Sequence, residues 1–307
     1  LFEDFLETNK DSLITLEKYL NLRNTNMLRG IETRSTNSIT VQSAYIIKEE
    51  PSRKRAGYFW TVKSENNSTV NAENVISKEV VKIPKKSLVM GLRSFSGRPT
   101  IDVGEDMDYV VTEYVDKFFD SVKKDRRKDK RKQAFEWGQY VKERKASLFI
   151  NRRFVLPAQG TVHLAYTSQE PIVAPATLWC IPKLTPIENK IQALWLNSSF
   201  NLIQLLLSKI QDVWVAIHEY SLNDYMVINP DKLTTHQKKN IEELYDEIKD
   251  KEFPSLIDQF RFQYKLRKSI DSLFLKILGY DRDEIDELLT KIYKLLIKEF
   301  EALDKLM

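Results

Sequence analysis

Residues 182–210 read PKLTPIENKIQALWLNSSFNLIQLLLSKI. Ile187, Ile191, Leu194 and Trp195 fall at i, i+4, i+7 and i+8, and a second helical run follows through Phe200, Ile203, Leu206, Leu207 and Ile210. Asn197-Ser198-Ser199 lies between the two runs. Ser and Asn side chains accept the first free amides of a helix, so Leu196-Asn197-Ser198 reads as a bend between two packed helices. Beyond Pro230 the helical period persists. Thr234 or Thr235 caps a run through Ile241, Leu244, Tyr245 and Ile248, and the chain breaks at Phe253-Pro254-Ser255. Ile270, Leu273, Phe274, Ile277 and Leu278 then lead to Gly279, a C-cap residue free to adopt positive φ. A last run from Glu284 carries Ile285, Leu288, Leu289, Ile292, Leu295, Leu296 and Phe300. Residues 183–307 are therefore expected to form a helical bundle.

Before Pro182 the pattern differs. Residues 11–24 predict a short helix with Asp11 or Ser12 as cap and Leu13, Leu16 and Leu20 at helical spacing. Ile39–Val41, Ala44–Ile47, Tyr58–Val62, Val80–Ile83 and Ile101–Val103 are short, rich in β-branched and aromatic residues, and separated by polar turn residues, as strands are. Thr112–Arg144 returns to helical spacing with a basic run at its centre. Ser147–Leu156 and Thr161–Tyr166 predict two strands joined by a hairpin at 157–160. The expected fold is α+β: a β-rich domain over residues 1–182 with a helical basic insertion near 112–144, then a helical domain over 183–307.

Composition removes several classes of function. The 307 residues are 30% charged and 42% hydrophobic, as in ordinary globular proteins, and no stretch reaches the roughly 18 apolar residues of a membrane helix. A membrane partner is not expected. One cysteine, Cys180, forbids an intrachain disulfide and fits a reducing cytoplasm, and the acidic start Leu1-Phe2-Glu3-Asp4 lacks the basic region of a signal peptide. His163, His218 and His236 are far apart, with no metal-ligand spacing among them. The glycines stand at 30, 57, 91, 97, 104, 138, 160 and 279, which matches neither a dinucleotide fingerprint nor a P-loop. Formal charge is +4, yet Lys123–Lys132 (KKDRRKDKRK) alone holds eight basic residues against two aspartates. From Leu233 onward 14 basic residues face 16 acidic ones, so a polyanion is expected to prefer the N-terminal part.

Ala193-Leu-Trp-Leu-Asn-Ser-Ser-Phe200 is similar to the Leu-Asn-Ser segment that follows the recognition domain of adenine-specific DNA methyltransferases of restriction-modification systems. Upstream, Leu148-Phe-Ile-Asn-Arg-Arg-Phe154 and Ala165-Tyr166-Thr167-Ser168 resemble that region as well. Downstream, Leu233-Thr-Thr-His-Gln237, Phe253-Pro-Ser-Leu256 with Gln259, and Arg267-Lys-Ser-Ile-Asp271 with Leu278-Gly279 are similar to the family's C-terminal helical segment. The resemblance covers about residues 90–300. Those enzymes also carry an Asn-Pro-Pro-aromatic motif and a glycine-containing loop for S-adenosylmethionine. Asn229-Pro230-Asp231-Lys232 lacks the second proline and the aromatic, and the glycines lack the loop spacing. The resemblance thus implies a recognition portion without catalytic residues. S-adenosylmethionine would be held by a catalytic domain in the same polypeptide or on a partner subunit, and double-stranded DNA would be the ligand.

Such a portion must hold phosphates by charge and read base edges in a groove. The phosphate candidates are Lys123, Lys124, Arg126, Arg127, Lys128, Lys130, Arg131 and Lys132. The base-reading candidates are Arg93 and Arg98, which flank Ser94-Phe95-Ser96-Gly97, together with Arg152 and Arg153, whose side chains must point to opposite faces if they lie on one strand. Each of these has a plain alternative as a loop charge, an internal ion-pair partner or a solvated face. Trp179 and Trp195 read as core, and Cys180 as a buried small hydrophobe. Two other readings of the chain stand beside DNA recognition: an interaction protein whose bundle packs on a partner, and a nuclease without recognisable motifs.

Overall fold

Strands form where β-branched and aromatic residues alternate with polar ones, and helices where apolar residues recur every three or four positions. A computed structural model of the protein describes residues 2–31, 45–47, 60–104, 107–115, 130–208 and 214–305, and its architecture is α+β. The chain begins with α1 (Phe2–Thr8), β1 (Leu13–Thr15) and α2 (Leu16–Leu22), then β2 (Leu28–Arg29) and β3 (Tyr45–Ile47). The cap of α2 is Thr15, whose hydroxyl accepts the Lys18 amide, instead of Asp11 or Ser12. Residues 13–15 are drawn into antiparallel pairing with 226–228, a distant partner that local spacing does not announce.

Next come β4 (Trp60–Glu65), β5 (Thr69–Asn74), β6 (Val80–Pro84), β7 (Leu88–Gly91), β8 (Asp108–Val111) and α3 (Lys130–Glu143). Strands β3 to β8 form a six-stranded sheet in the order β6-β5-β4-β3-β8-β7, antiparallel except at β3–β4. Ala134, Trp137 and Val141 of α3 share an apolar cluster with Trp60, Val70, Ile83 and Val110 of this sheet. Two expectations change here. Ile101–Val103 makes a single parallel bridge, Asp102 to Thr167 of the strand at 165–172, and extends no further because the Asp102 amide goes to the Lys249 carbonyl. Residues 112–115 are not helical, and the Thr112 carbonyl lies under α3. The predicted strand at Ile39–Val41 lies outside the described residues.

The chain continues with β9 (Ala146–Asn151), β10 (Arg153–Val155), β11 (Ala165–Ile172), β12 (Leu178–Ile181), α4 (Pro186–Leu196), α5 (Ser199–Leu207), β13 (Trp214–Ala216), α6 (Glu219–Asn223) and β14 (Met226–Ile228). It ends with α7 (Thr235–Ile248), α8 (Leu256–Arg261), α9 (Lys265–Ile277) and α10 (Arg282–Asp304). A four-stranded sheet runs β11-β9-β12-β2. The predicted hairpin at 157–160 is replaced by a longer excursion. The amides of Arg152 and Arg153 both bond the Thr177 carbonyl, which turns the chain out of the sheet, and β10 then pairs with β13 before the return at Ala165.

Capping boxes at Thr185/Glu188, Thr234/Gln237 and Asp281/Glu284 start α4, α7 and α10, each contributing about 1 kcal/mol. Gly279, at φ +96°, ends α9 as its position predicts. Leu148, Ile150, Ala165 and Trp179 on one face of the four-stranded sheet share a core with α4, α5 and α7 to α10, so apolar packing is continuous across the Pro182–Lys183 junction. Phe149, Tyr166 and Cys180 on the other face pack against Leu92, Phe95, Val103 and Met107. Trp195 is fully buried, edge-on to Phe274 with centroids 5.1 Å apart.

Candidate nucleic-acid interface

Arg93 and Arg98 lie on the segment between β7 and β8 that covers one face of the four-stranded sheet. Arg93 Nε donates to Asp108 Oδ2 at 2.6 Å, and Arg98 Nη1 donates to the Val103 carbonyl at 2.8 Å. The segment docks on the excursion after β10 through the Gly97 amide, 2.9 Å from the Gly160 carbonyl. A half-exposed ion pair of this kind is worth at most about 1 kcal/mol, so Asp108 orients the guanidinium more than it stabilises the fold.

Arg152 stands at the bend between β9 and β10 and Arg153 opens β10, so the two are not neighbours on one strand. Arg152 is half-buried, donates from Nη1 to the Ala176 carbonyl at 3.2 Å and sits over the Trp179 ring at 5.3 Å, whereas Arg153 is exposed. Trp179 belongs to the core on the helical face of the sheet, and Val103 to the core on the other face. The structure therefore joins Arg93 and Arg98 on one loop and binds Arg152 on the opposite side of the sheet. Lys130, Arg131 and Lys132 form the first turn of α3, with Arg131 exposed and its guanidinium 5.7 Å from the Tyr114 ring centroid. Lys123, Lys124, Arg126, Arg127 and Lys128 lie outside the described residues.

The Leu-Asn-Ser residues have a different task. Leu196, Asn197, Ser198 and Ser199 are all buried. Asn197 Oδ1 accepts the amides of Leu164 and Ala165 at 2.8 and 3.2 Å, and Nδ2 donates to the Ala165 carbonyl at 2.8 Å, so one side chain starts strand β11 from the end of α4. Ser198 caps α5 through the Asn201 amide. The Ser199 amide and hydroxyl donate to Asp271 of α9, and Tyr293 of α10 donates to the same carboxylate at 2.6 Å. One turn earlier on α9, Arg267 donates to Gln259 Oε1 of α8, and Gln259 Nε2 reaches the Val162 carbonyl at 2.9 Å. Burial pushes the Asp271 carboxyl up, opposed by Arg267 and the Ser199 and Tyr293 hydrogen bonds, and burial lowers Arg267. The motif residues thus form three buried polar groups: Asn197 on the entry to β11, Ser199 and Tyr293 on the Asp271 carboxylate, and Arg267 on Gln259, which reaches the Val162 carbonyl. Sequence spacing finds the Ser198 cap, but the partners of Asn197 and Ser199 are too distant along the chain for any local signal.

Burial lowers His163 to about 3, leaving a neutral ring on the Pro99 carbonyl, and burial pushes the Cys180 thiol up to about 12. Among the described residues no group of three or more His, Cys, Asp or Glu could hold a metal ion, and no helix is long and apolar enough to cross a membrane. A Cβ at Gly30, Gly91 or Gly138 would lie under 3 Å from a neighbouring carbonyl oxygen or side chain, Gly97 and Gly104 hold positive φ in open space, and Gly279 closes a helix.

No family model and no curated protein matches this chain. Among solved structures it is similar to the type IIG restriction endonuclease BpuSI, with a TM-score of 0.62 at 15% sequence identity over 97% of this chain and 32% of that one. The chain therefore spans about a third of the length of that protein. What the likeness shows is the fold: almost all of this α+β arrangement recurs within one portion of a larger restriction endonuclease.

Proposed function

We propose that this chain is the DNA target-recognition portion of an adenine-specific DNA methyltransferase of a restriction-modification or phage-defence system. It reads a base sequence for chemistry carried by another domain, in the same polypeptide or on a partner subunit. The observation that carries this reading is the match of nearly the whole chain to one third of BpuSI, with the Leu196-Asn197-Ser198 junction at the join between sheet and helices. In this reading S-adenosylmethionine binding and the methyl transfer belong to that other domain, since the glycine spacing of this chain matches no cofactor loop. The chain contributes phosphate contacts from Lys123–Lys132 and base contacts from Arg93 and Arg98, which share one loop; Arg152, against Trp179 on the other side of the sheet, is a contact of the fold.

The test is a fluorescence-anisotropy titration of a labelled duplex at several salt concentrations. If six of the eight basic residues in the run engage phosphates, log K against log salt has a slope of roughly −5. No binding at low salt, or a slope near zero, overturns the reading.

A further inference from the structure

We infer that α3 is a groove-reading helix, with Phe135 and Gln139 against base edges and Arg131 and Lys142 on the phosphates that flank them. This inference rests on the DNA-recognition reading and adds residues to it. Phe135 is 66% exposed on a helix that buries Ala134, Trp137 and Val141 on its other side. Arg131, Phe135, Gln139 and Lys142 are all exposed and stand at i, i+4, i+8 and i+11, which puts them on one stripe. The acidic residues of α3, Glu136 and Glu143, fall outside that stripe.

The roll of α3 is fixed by two contacts on its inner side. Trp137 Nε1 donates to the Val111 carbonyl at 2.8 Å, and Gly138 lies so close to the Thr112 carbonyl that a Cβ there would approach it to 2.0 Å. The stripe is therefore presented by a helix held rigidly on a sheet, as precise readout requires.

The occupant follows from charge and chemistry. The stripe carries two cations and no acid, and the sequence entering the helix is the most basic of the chain. An α-helix fits the major groove. There Gln pairs with adenine N6 and N7, and an apolar side chain meets the thymine methyl, so Phe135 and Gln139 suit an A·T pair. Arg131 and Lys142 are separated by about 16 Å along the helix, enough to reach phosphates on either side of a groove about 12 Å wide.

The experiment is salt-dependent duplex binding by the whole chain and by Phe135→Ala, Gln139→Ala and the Arg131→Ala/Lys142→Ala pair, with selection from a randomised duplex pool as a second readout. Phe135→Ala is expected to weaken binding about tenfold at an unchanged salt slope. The charge pair should flatten the slope by about 1.8, and Gln139→Ala should relax a single A·T position in the selected sites. Unchanged affinity, slope and selected sequence in all three, while neutralising Lys123, Lys124, Arg126 and Arg127 abolishes binding, would overturn the role of α3 and leave DNA recognition standing. Absence of binding by the parent chain removes both. Self-association lost in Phe135→Ala without any effect on DNA would assign the stripe to a second copy instead.

Discussion

The Asn197 carboxamide oxygen lies 2.8 Å from the Leu164 amide, across 33 residues of chain. The contact converts a helix end into the template for a strand: α4 stops where its last polar side chain can supply the hydrogen bonds that open β11. The fold is thus closed between sheet and bundle by a side chain, at a point where backbone pairing is lost.

Asn197→Ala should therefore be costly out of proportion to its size. It strands two buried amides and one carbonyl, and at about 1–3 kcal/mol for a buried group left unsatisfied, a total loss of roughly 2–4 kcal/mol is expected. Urea denaturation monitored by tryptophan fluorescence reads this directly. A change under about 0.5 kcal/mol would mean that water satisfies the site.

Arg267 and Asp271 are buried one helical turn apart on α9, close enough for each charge to favour the other. Asp271→Ala leaves the guanidinium without its nearby countercharge and is expected to destabilise by about 3–5 kcal/mol. The double variant Arg267→Met/Asp271→Leu should lose less than the sum of the two single changes. Simple additivity would show that the charges do not interact.

Acid sensitivity has a local source at α2. Arg23 bonds Glu188 in the first turn of α4 and pairs with Asp231 at 2.7 Å. Burial raises the Glu188 carboxyl, but the Thr185 hydroxyl and amide together with Arg23 outweigh it and hold the group below its ordinary value; Arg23 does the same for Asp231. Both folded values are depressed, so the unfolded chain binds more protons. The stability they confer is complete above about pH 5 and disappears as pH falls through the folded values. Arg23→Met should make the acid limb of the stability profile shallower than in the parent. Parallel profiles would exclude the cluster as its source.

Gly138→Ala tests how tightly α3 sits on the sheet. The added methyl meets the Thr112 carbonyl, a backbone atom that cannot swing away, so a loss of about 1–3 kcal/mol is expected in spite of alanine's better helix propensity. Thermal unfolding measures it, and an unchanged or raised melting temperature would show that the helix has room to lift.

Much of the helical region is legible in the sequence because its determinants are local. Thr234, Asp281 and Gly279 stand within a turn of the groups they satisfy, and the stripe Ile285, Leu289, Ile292, Leu296, Phe300 reports one buried face. The β-rich part is less so. Tyr58–Val62 and Val80–Ile83 are readable from their β-branched and aromatic residues, whereas β5 between them is not, and whether Arg153–Val155 continues β9 or leaves it for β13 depends on which carbonyl the amides of residues 152 and 153 find, and that carbonyl belongs to Thr177. Among the basic candidates, sequence identifies charge without position: Arg93 and Arg98 share a loop, and Arg152 leans on a tryptophan of the other face.

By itself, the sequence determined the helical period after Pro182, the caps at Ser198, Thr234 and Gly279, and the cationic run that leads into α3. These are properties of residues within one or two turns of each other. Only the tertiary structure decided that Ser199 meets Asp271, Gln259 meets Arg267 and Asn197 meets the start of β11, and that Phe135 faces outward beside Arg131 and Lys142. Buried polar groups must find partners wherever the chain happens to place them, and a helix's roll is set by what it packs against, so neither is written in local spacing.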